Sequence, residues 1–390
     1  MYRIGIEEAE AVKKVIESKD LFKINGGTMA SKKVEERMRT LFDVPYAIFM
    51  TSGHAALVSS LVALGIGPGD QVIVPAYTYI ATPMAVIAAG AMPVICDVDD
   101  TLTIDADDVE RKITKYTKAI MPVHIQGFPC NMDRITEVAK KYNLHVVEDA
   151  CQADGGSYHG KRLGTIGDAG ALSFNYFKLI TCGEGGGFLT KDKLVFERAL
   201  IYHDSSAIAF FGDQMSGFDE AEFCGSEYRS NELCAAVLGV QLERLEGILA
   251  DNRKNKKYMM DRLSDVCKFV PSNDADGDCA TTLALSFDSE EKARKFASFD
   301  GIGGTVPIDT GKHVYKNWTA VMQKRGALNP LMDPFKMEAN KQALPEYSAD
   351  MCKKTLERLS KVVYLSVFPD DTNEILDERI ALIKRAVANL

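Results

Sequence analysis

The sequence predicts an α/β protein: a mostly parallel central sheet flanked by helices, followed by a smaller α+β unit. Three observations carry this expectation. Between about Pro45 and Thr190, short apolar β-rich segments alternate with helical ones. A long helical pattern then begins near Ser230. Beyond residue 250 the order changes to one strand and amphipathic helices. Continuous apolar strands separated by helices are typical of a parallel sheet covered on both faces.

Taken in order, the chain opens with MYRIGIEEAEAVKKVIESKD, an acidic amphipathic helix with no basic-then-apolar leader pattern. The alternating region reads YAIFMT as strand, HAALVSSLVALG as helix, QVIVPA as strand and TPMAVIAAG as helix. The strands MPVICDV and KAIMPV, the helix MDRITEVAKKYN, and the strands HVVEDA and GALSFN complete it. ELCAAVLGVQLERLEGILADNRKNKKYMMDRLSDV follows as the long helix, then CATTLALSF as a strand. Asp288 and Glu291 in DSEEKARKFASF suggest a capping box, and NEILDERIALIKRAVANL closes the chain as an amphipathic helix. The expected units are residues 1–250 and 251–390, with the N-terminal helix packing on the smaller one.

Bulk composition excludes several classes. Hydrophobic residues make up 46% and charged residues 26% of the 390, which is ordinary for a globular enzyme-sized chain. The formal net charge of −9 argues against nucleic-acid or anionic-membrane partners, and no basic patch offsets it. The most apolar run, IATPMAVIAAGAMPVIC, is broken by Pro83, Gly90 and Pro93, too interrupted for a membrane span. Nine scattered cysteines with no C-x-x-C spacing suggest reduced thiols rather than disulfides or a zinc site, hence no metal and a cytoplasmic location.

Ligand sites in such sheets lie at the carboxyl ends of strands, and four of these ends are suggestive. After YAIFM, Thr51-Ser52-Gly53 leads into a helix, suiting either a phosphate or an ordinary N-cap. After QVIVPA, Tyr77 and Tyr79 offer flat aromatic faces, or core. After HVV come Glu148 and Asp149, and a carboxylate there must serve a cation, a salt bridge or a cap. After GALSF, Ser173 precedes Lys178 and the turn CGEGGGF; the lysine suits a Schiff base or is a snorkelling surface residue. Together the four signals describe one ligand, pyridoxal 5′-phosphate.

The ordered segments TSGHAAL, VPAYTYIAT, VVEDACQADGG, GDAGALSFNYFKLITCGEGG and YRSNELCAAVLGVQLERL resemble the DegT/StrS family of sugar aminotransferases, which have the fold-type I architecture. The resemblance implies that Lys178 bonds the cofactor, Asp149 faces its ring nitrogen and Gln152 its hydroxyl. It places Ser52, Gly53 and Ser173 at the phosphate, with Tyr79 stacked on the ring. His54 stands among these cofactor positions where the family commonly reads threonine. Arg229, in Glu227-Tyr228-Arg229, matches a segment that reaches the partner subunit's site and suits a donor carboxylate; Glu227 replaces the family's asparagine.

The resemblance further implies a homodimer that takes an amino group from glutamate or glutamine and passes it to a keto-sugar. The nearest branch resembles enzymes that aminate C8 of a 3-deoxy-octulosonate for lipopolysaccharide, with scyllo-inosose-type cyclitol and nucleotide-keto-sugar aminotransferases as alternatives. His313 and Trp318, in TGKHVYKNW, are candidates for the acceptor pocket, or ordinary core. The related dehydratases carry histidine at the lysine position, so Lys178 disfavours that reading. A non-catalytic cofactor binder needs no proton-transferring lysine. A nicotinamide oxidoreductase would need a G-x-G-x-x-G after the first core strand, which this chain lacks.

Overall fold

The computed structural model describes residues 3–23, 29–210 and 215–390. Helices α1 (Ile6–Ser18) and α2 (Ala30–Phe42) lead into β1 (Tyr46–Met50), α3 (Gly53–Ala63), β2 (Gln71–Pro75), α4 (Ala81–Ala88), β3 (Met92–Cys96), α5 (Ala106–Lys112) and β4 (Thr117–Ile120). Next come α6 (Met132–Tyr142), β5 (His145–Asp149), the short hairpin β6 (Ser157–Tyr158) and β7 (Lys161–Arg162), β8 (Ala169–Ser173), β9 (Gly186–Thr190) and α7 (Lys193–His203). The remainder is α8 (Glu232–Leu263), β10 (Lys268–Phe269), β11 (Thr282–Ser286), α9 (Glu290–Ala297), α10 (Thr319–Met322), α11 (Lys353–Ser360), β12 (Val362–Ser366) and α12 (Asn373–Ala388).

Seven strands form one sheet in the order β1-β9-β8-β5-β4-β2-β3. Only β9 runs against its neighbours. The carboxyl ends of β1, β2, β5 and β8 therefore share one edge, and the site is built there. Every residue of β2, β3, β8 and β9 is buried, as expected for strands covered on both faces. α3 is apolar almost all round because it is enclosed, with nine of its eleven residues buried. α6 instead buries one stripe, Met132, Ile135, Val138 and Ala139.

The second sheet, β10-β11-β12, packs Leu283, Leu285, Val363 and Leu365 against Phe296 of α9 and Leu376 and Ile380 of α12. α8 joins the two layers: Leu238, Leu242 and Leu245 enter the core of the large sheet, while Met259 and Leu263 enter the small one. Residue 250 thus falls inside one continuous helix. α1 lies along α8, where Gln241 donates to Glu8 at 2.7 Å, and Arg3 ahead of it reaches Asp370 near the small sheet at 2.8 Å. The cap of α9 is Ser289, which accepts from Lys292 N–H; Asp288 stands one residue too early and pairs with Lys268 instead.

Candidate active site

α3 starts directly on the ends of β5 and β8. A Cβ on Gly53 would come within 2.6 Å of Cys151 Sγ and 2.9 Å of Ser173 Cβ, so only glycine permits this approach. Ser52 is the N-cap, its Oγ accepting from Ala55 N–H at 3.1 Å. The cap reading of Ser-Gly is therefore correct for the hydroxyl, while the helix still aims its positive end at the strand edge. His54, next along, brings Nδ1 to 3.3 Å from the Ala81 carbonyl; burial lowers its basicity, with the Asp149 charge acting in the opposite sense.

Alternation along β5 separates the two acids that the sequence left together. Glu148 is fully buried and accepts from the N–H groups of Gly164, Ile166 and Gly167 and from His124 Nε2. His124 Nδ1 accepts from Cys130 N–H, which makes this imidazole the neutral Nε2–H form. Glu148 is a structural acid with every direction occupied. Asp149 points the other way: Oδ2 accepts from Thr82 Oγ at 2.7 Å and Oδ1 from Cys151 N–H at 3.2 Å. Thr78 supports Thr82 at 2.7 Å. A carboxylate has capacity for about four such bonds, so Asp149 retains room for a cationic N–H.

Lys178 lies in a loop whose neck is closed by Phe174 N–H to the Gly185 carbonyl and Cys182 N–H to the Phe174 carbonyl. Its ammonium makes no ion pair or hydrogen bond among the described residues. The charges of Lys178 and Asp149 both act on Cys151 and Asp154, which places all four in one cluster. Gln152 accepts from Gln126 N–H at 3.1 Å, and its amide group makes no hydrogen bond among the described residues.

Sequence reasoning missed three residues here. Thr82 follows the flagged tyrosines and holds Asp149. Asp154 is 1% exposed; burial drives its carboxyl well above the ordinary range, opposed by the Lys178 charge and the Ser173 N–H. Neither of its oxygens makes a full hydrogen bond. Its signal was an acid in an otherwise small and apolar turn, ACQADGG. Lys312 is the third, lying over Tyr79 with Nζ 5.0 Å from the ring centre.

His313 joins this cluster, its ring 5.6 Å from that of Tyr79. Trp318 does not line an open pocket: it is fully buried, and Nε1–H donates to the Lys312 carbonyl at 3.0 Å. Its bulk serves the core and its one polar atom holds the loop. Tyr77 is also core. Arg229, which the resemblance assigns to the partner subunit's site, does not join the Lys178 cluster of its own chain: its guanidinium pairs with Asp204 and, at 2.6 Å, with Glu227, above the Phe22 ring. Glu227 is thereby paired.

Beside Arg229, His203 is buried and its basicity is depressed well below the ordinary range by burial, then by the Lys23 and Arg229 charges. A depressed group contributes stability above its unfolded pKa, about 6.5, which is lost as pH falls towards the folded value. Denaturant unfolding at pH 7.5 and 5.5 is expected to show this loss, at up to about 1.4 kcal/mol per pH unit below 6.5 for this group. His203→Asn should flatten the slope; an unchanged slope would reject the assignment.

Residues 3–317 match the model of the DegT/DnrJ/EryC1/StrS aminotransferase family. The chain belongs to this family. Its members are pyridoxal-phosphate-dependent proteins of fold type I. A GDP-perosamine synthase of Escherichia coli O157:H7 is 40% identical over 57% of this chain and 60% of its own length. The L-glutamine:2-deoxy-scyllo-inosose aminotransferase of Streptomyces lividus is 33% identical over 70% and 66%. The chain thus spans about three fifths of the length of the curated relatives it matches. Among solved structures, an aminotransferase of Psychrobacter cryohalolentis superimposes with a TM-score of 0.80 at 27% identity, covering 99% of this family member and 98% of that chain.

Proposed function

We propose that this family member is a pyridoxal-phosphate-dependent aminotransferase that moves an amino group from glutamine or glutamate to a carbonyl on a sugar. The preferred acceptor is C8 of a 3-deoxy-octulosonate, with the enzyme acting as a cytoplasmic homodimer. The observation that carries the reading is the unpaired Lys178 ammonium clustered with Asp149, a buried carboxylate that retains acceptor capacity.

The residues present fit the cofactor. The N-terminus of α3 with its cap Ser52, brought by Gly53 into close approach with Ser173, suits a phosphate. Tyr79 offers a ring face, Asp149 a partner for a protonated ring nitrogen, and Gln152 a free amide for a hydroxyl. When bound, the cofactor supplies an electron sink for the carbanion at the donor's Cα. Lys178 Nζ takes the proton from that Cα and, in the second half-reaction, delivers one to the former carbonyl carbon of the acceptor. Thr82 Oγ and Cys151 N–H fix the Asp149 carboxylate in the position that would face the ring nitrogen.

The relative named for L-glutamine supports glutamine as donor, and the Lys312 cation near Tyr79 supports an acidic acceptor. The names of the relatives keep a cyclitol and a nucleotide-linked keto-sugar as second readings. Incubation with glutamine and each of the three acceptor classes, followed by mass spectrometry of the amine, separates them. Amination of the eight-carbon keto acid is expected; amination of only the cyclitol or the nucleotide sugar rejects the octulosonate assignment.

A further inference from the structure

Lys312 lies on a loop that the fold holds in place. Gly311–His313 is a single 3-10 turn. Thr78 N–H donates to the His313 carbonyl at 2.9 Å, and Tyr315 N–H to the Ala76 carbonyl at 3.0 Å, tying the loop to the end of β2. Buried Trp318 holds the Lys312 carbonyl and exposed Asn317 the Gly311 carbonyl. The Lys312 ammonium lies 5.0 Å from the Tyr79 ring centre and 6.0 Å from that of Phe177, which is largely exposed. Among the described residues it makes no ion pair or hydrogen bond.

The local charge balance is one-sided. The charges of Lys312 and Lys178 both oppose protonation of His313, after burial as the main cause. The acids nearby are committed or enclosed: Glu148 to four donors, Asp149 to Thr82 and Cys151, Asp154 within the core. A chain of net charge −9 thus presents, at this edge, the Lys312 ammonium with no ion pair among the described residues. An anion placed there gains from it.

We infer that Lys312, held over the Tyr79 ring, forms a subsite for an oxyanion carried by the acceptor, a sugar-acid carboxylate remote from the reacting carbonyl. This rests on the aminotransferase reading above. An amino donor's α-carboxylate is one bond from the reacting carbon, whereas Lys312 lies at the rim, beside the exposed Phe177. An eight-carbon acid aminated at C8 carries its carboxylate at C1, seven bonds away, which suits the rim. A diphosphate would also be remote, but it brings more than one negative charge, and Lys312 is a single point charge.

The test uses the holoenzyme and Lys312→Gln. Calorimetry with 3-deoxy-octulosonate, which lacks the C8 carbonyl, is expected to show binding weakened on the order of ten-fold in the variant. In steady state with glutamine, KM for the eight-carbon keto acid should rise by a similar factor, KM for its methyl ester should not, and cofactor bleaching by glutamine alone should keep its rate. Equal effects on acid and ester, or a slowed donor step, overturn the subsite. A rise confined to a nucleotide keto-sugar overturns the carboxylate assignment. Lys312-dependent binding without amination of any acceptor upholds the subsite while rejecting the aminotransferase reading.

Discussion

Lys178→Ala is expected to lower kcat for amino transfer by at least about 10⁴, the upper range for a single general acid–base group, because in the proposed function the same side chain also bonds the cofactor. The fold should survive. Lys178 is half-buried outside the core clusters, and backbone hydrogen bonds of Phe174, Cys182 and Gly185 close its loop without it. Thermal unfolding of the variant should therefore fall within about 0.5 kcal/mol of the parent. Substantial turnover with glutamine would remove Lys178 from its assigned role.

Asp149→Asn should lower kcat by about 10²–10³, the range seen when one preorganised electrostatic contact is removed, with little loss of stability. The amide oxygen can still accept from Thr82 or Cys151, but its NH₂ presents a donor where a protonated ring nitrogen also donates. Glu148→Gln provides the contrast. Its new NH₂ would face either the N–H groups of Ile166 and Gly167 or the Gly164 N–H and the Nε2–H of His124, costing about 3 kcal/mol of stability. Measured side by side, kcat should separate the first variant and unfolding free energy the second. The opposite assignment of effects would exchange the roles of the two acids.

That neighbouring acids part so completely shows what was readable from sequence. Period-two alternation dictates that Glu148 and Asp149 face opposite sides of β5, but which side holds the ligand depends on where α3 and the 164–167 turn pack. The strands and their shared edge were legible because parallel strands buried on both faces are continuous apolar runs, such as QVIVP and MPVIC. The lysine loop was legible because a basic residue interrupts such a run before glycines. Trp318 was misplaced because a large aromatic in a polar loop reads equally as pocket or core. Only its hydrogen bond to the Lys312 carbonyl reveals a strap. Lys312 and Asp154 escaped notice since exposure and hydrogen-bond satisfaction are properties of the folded chain. The unit boundary at 250 failed to register that one helix can serve two cores, as Leu242 and Met259 of α8 do.

The most direct test is the visible absorption of the protein after incubation with pyridoxal phosphate and desalting, followed by addition of glutamine and then glutamate. A yellow band that survives desalting, bleaches with one of these donors and is lost in Lys178→Ala is the expected result. A desalted protein without any band would contradict the assignment of Lys178 and, with it, the proposed chemistry.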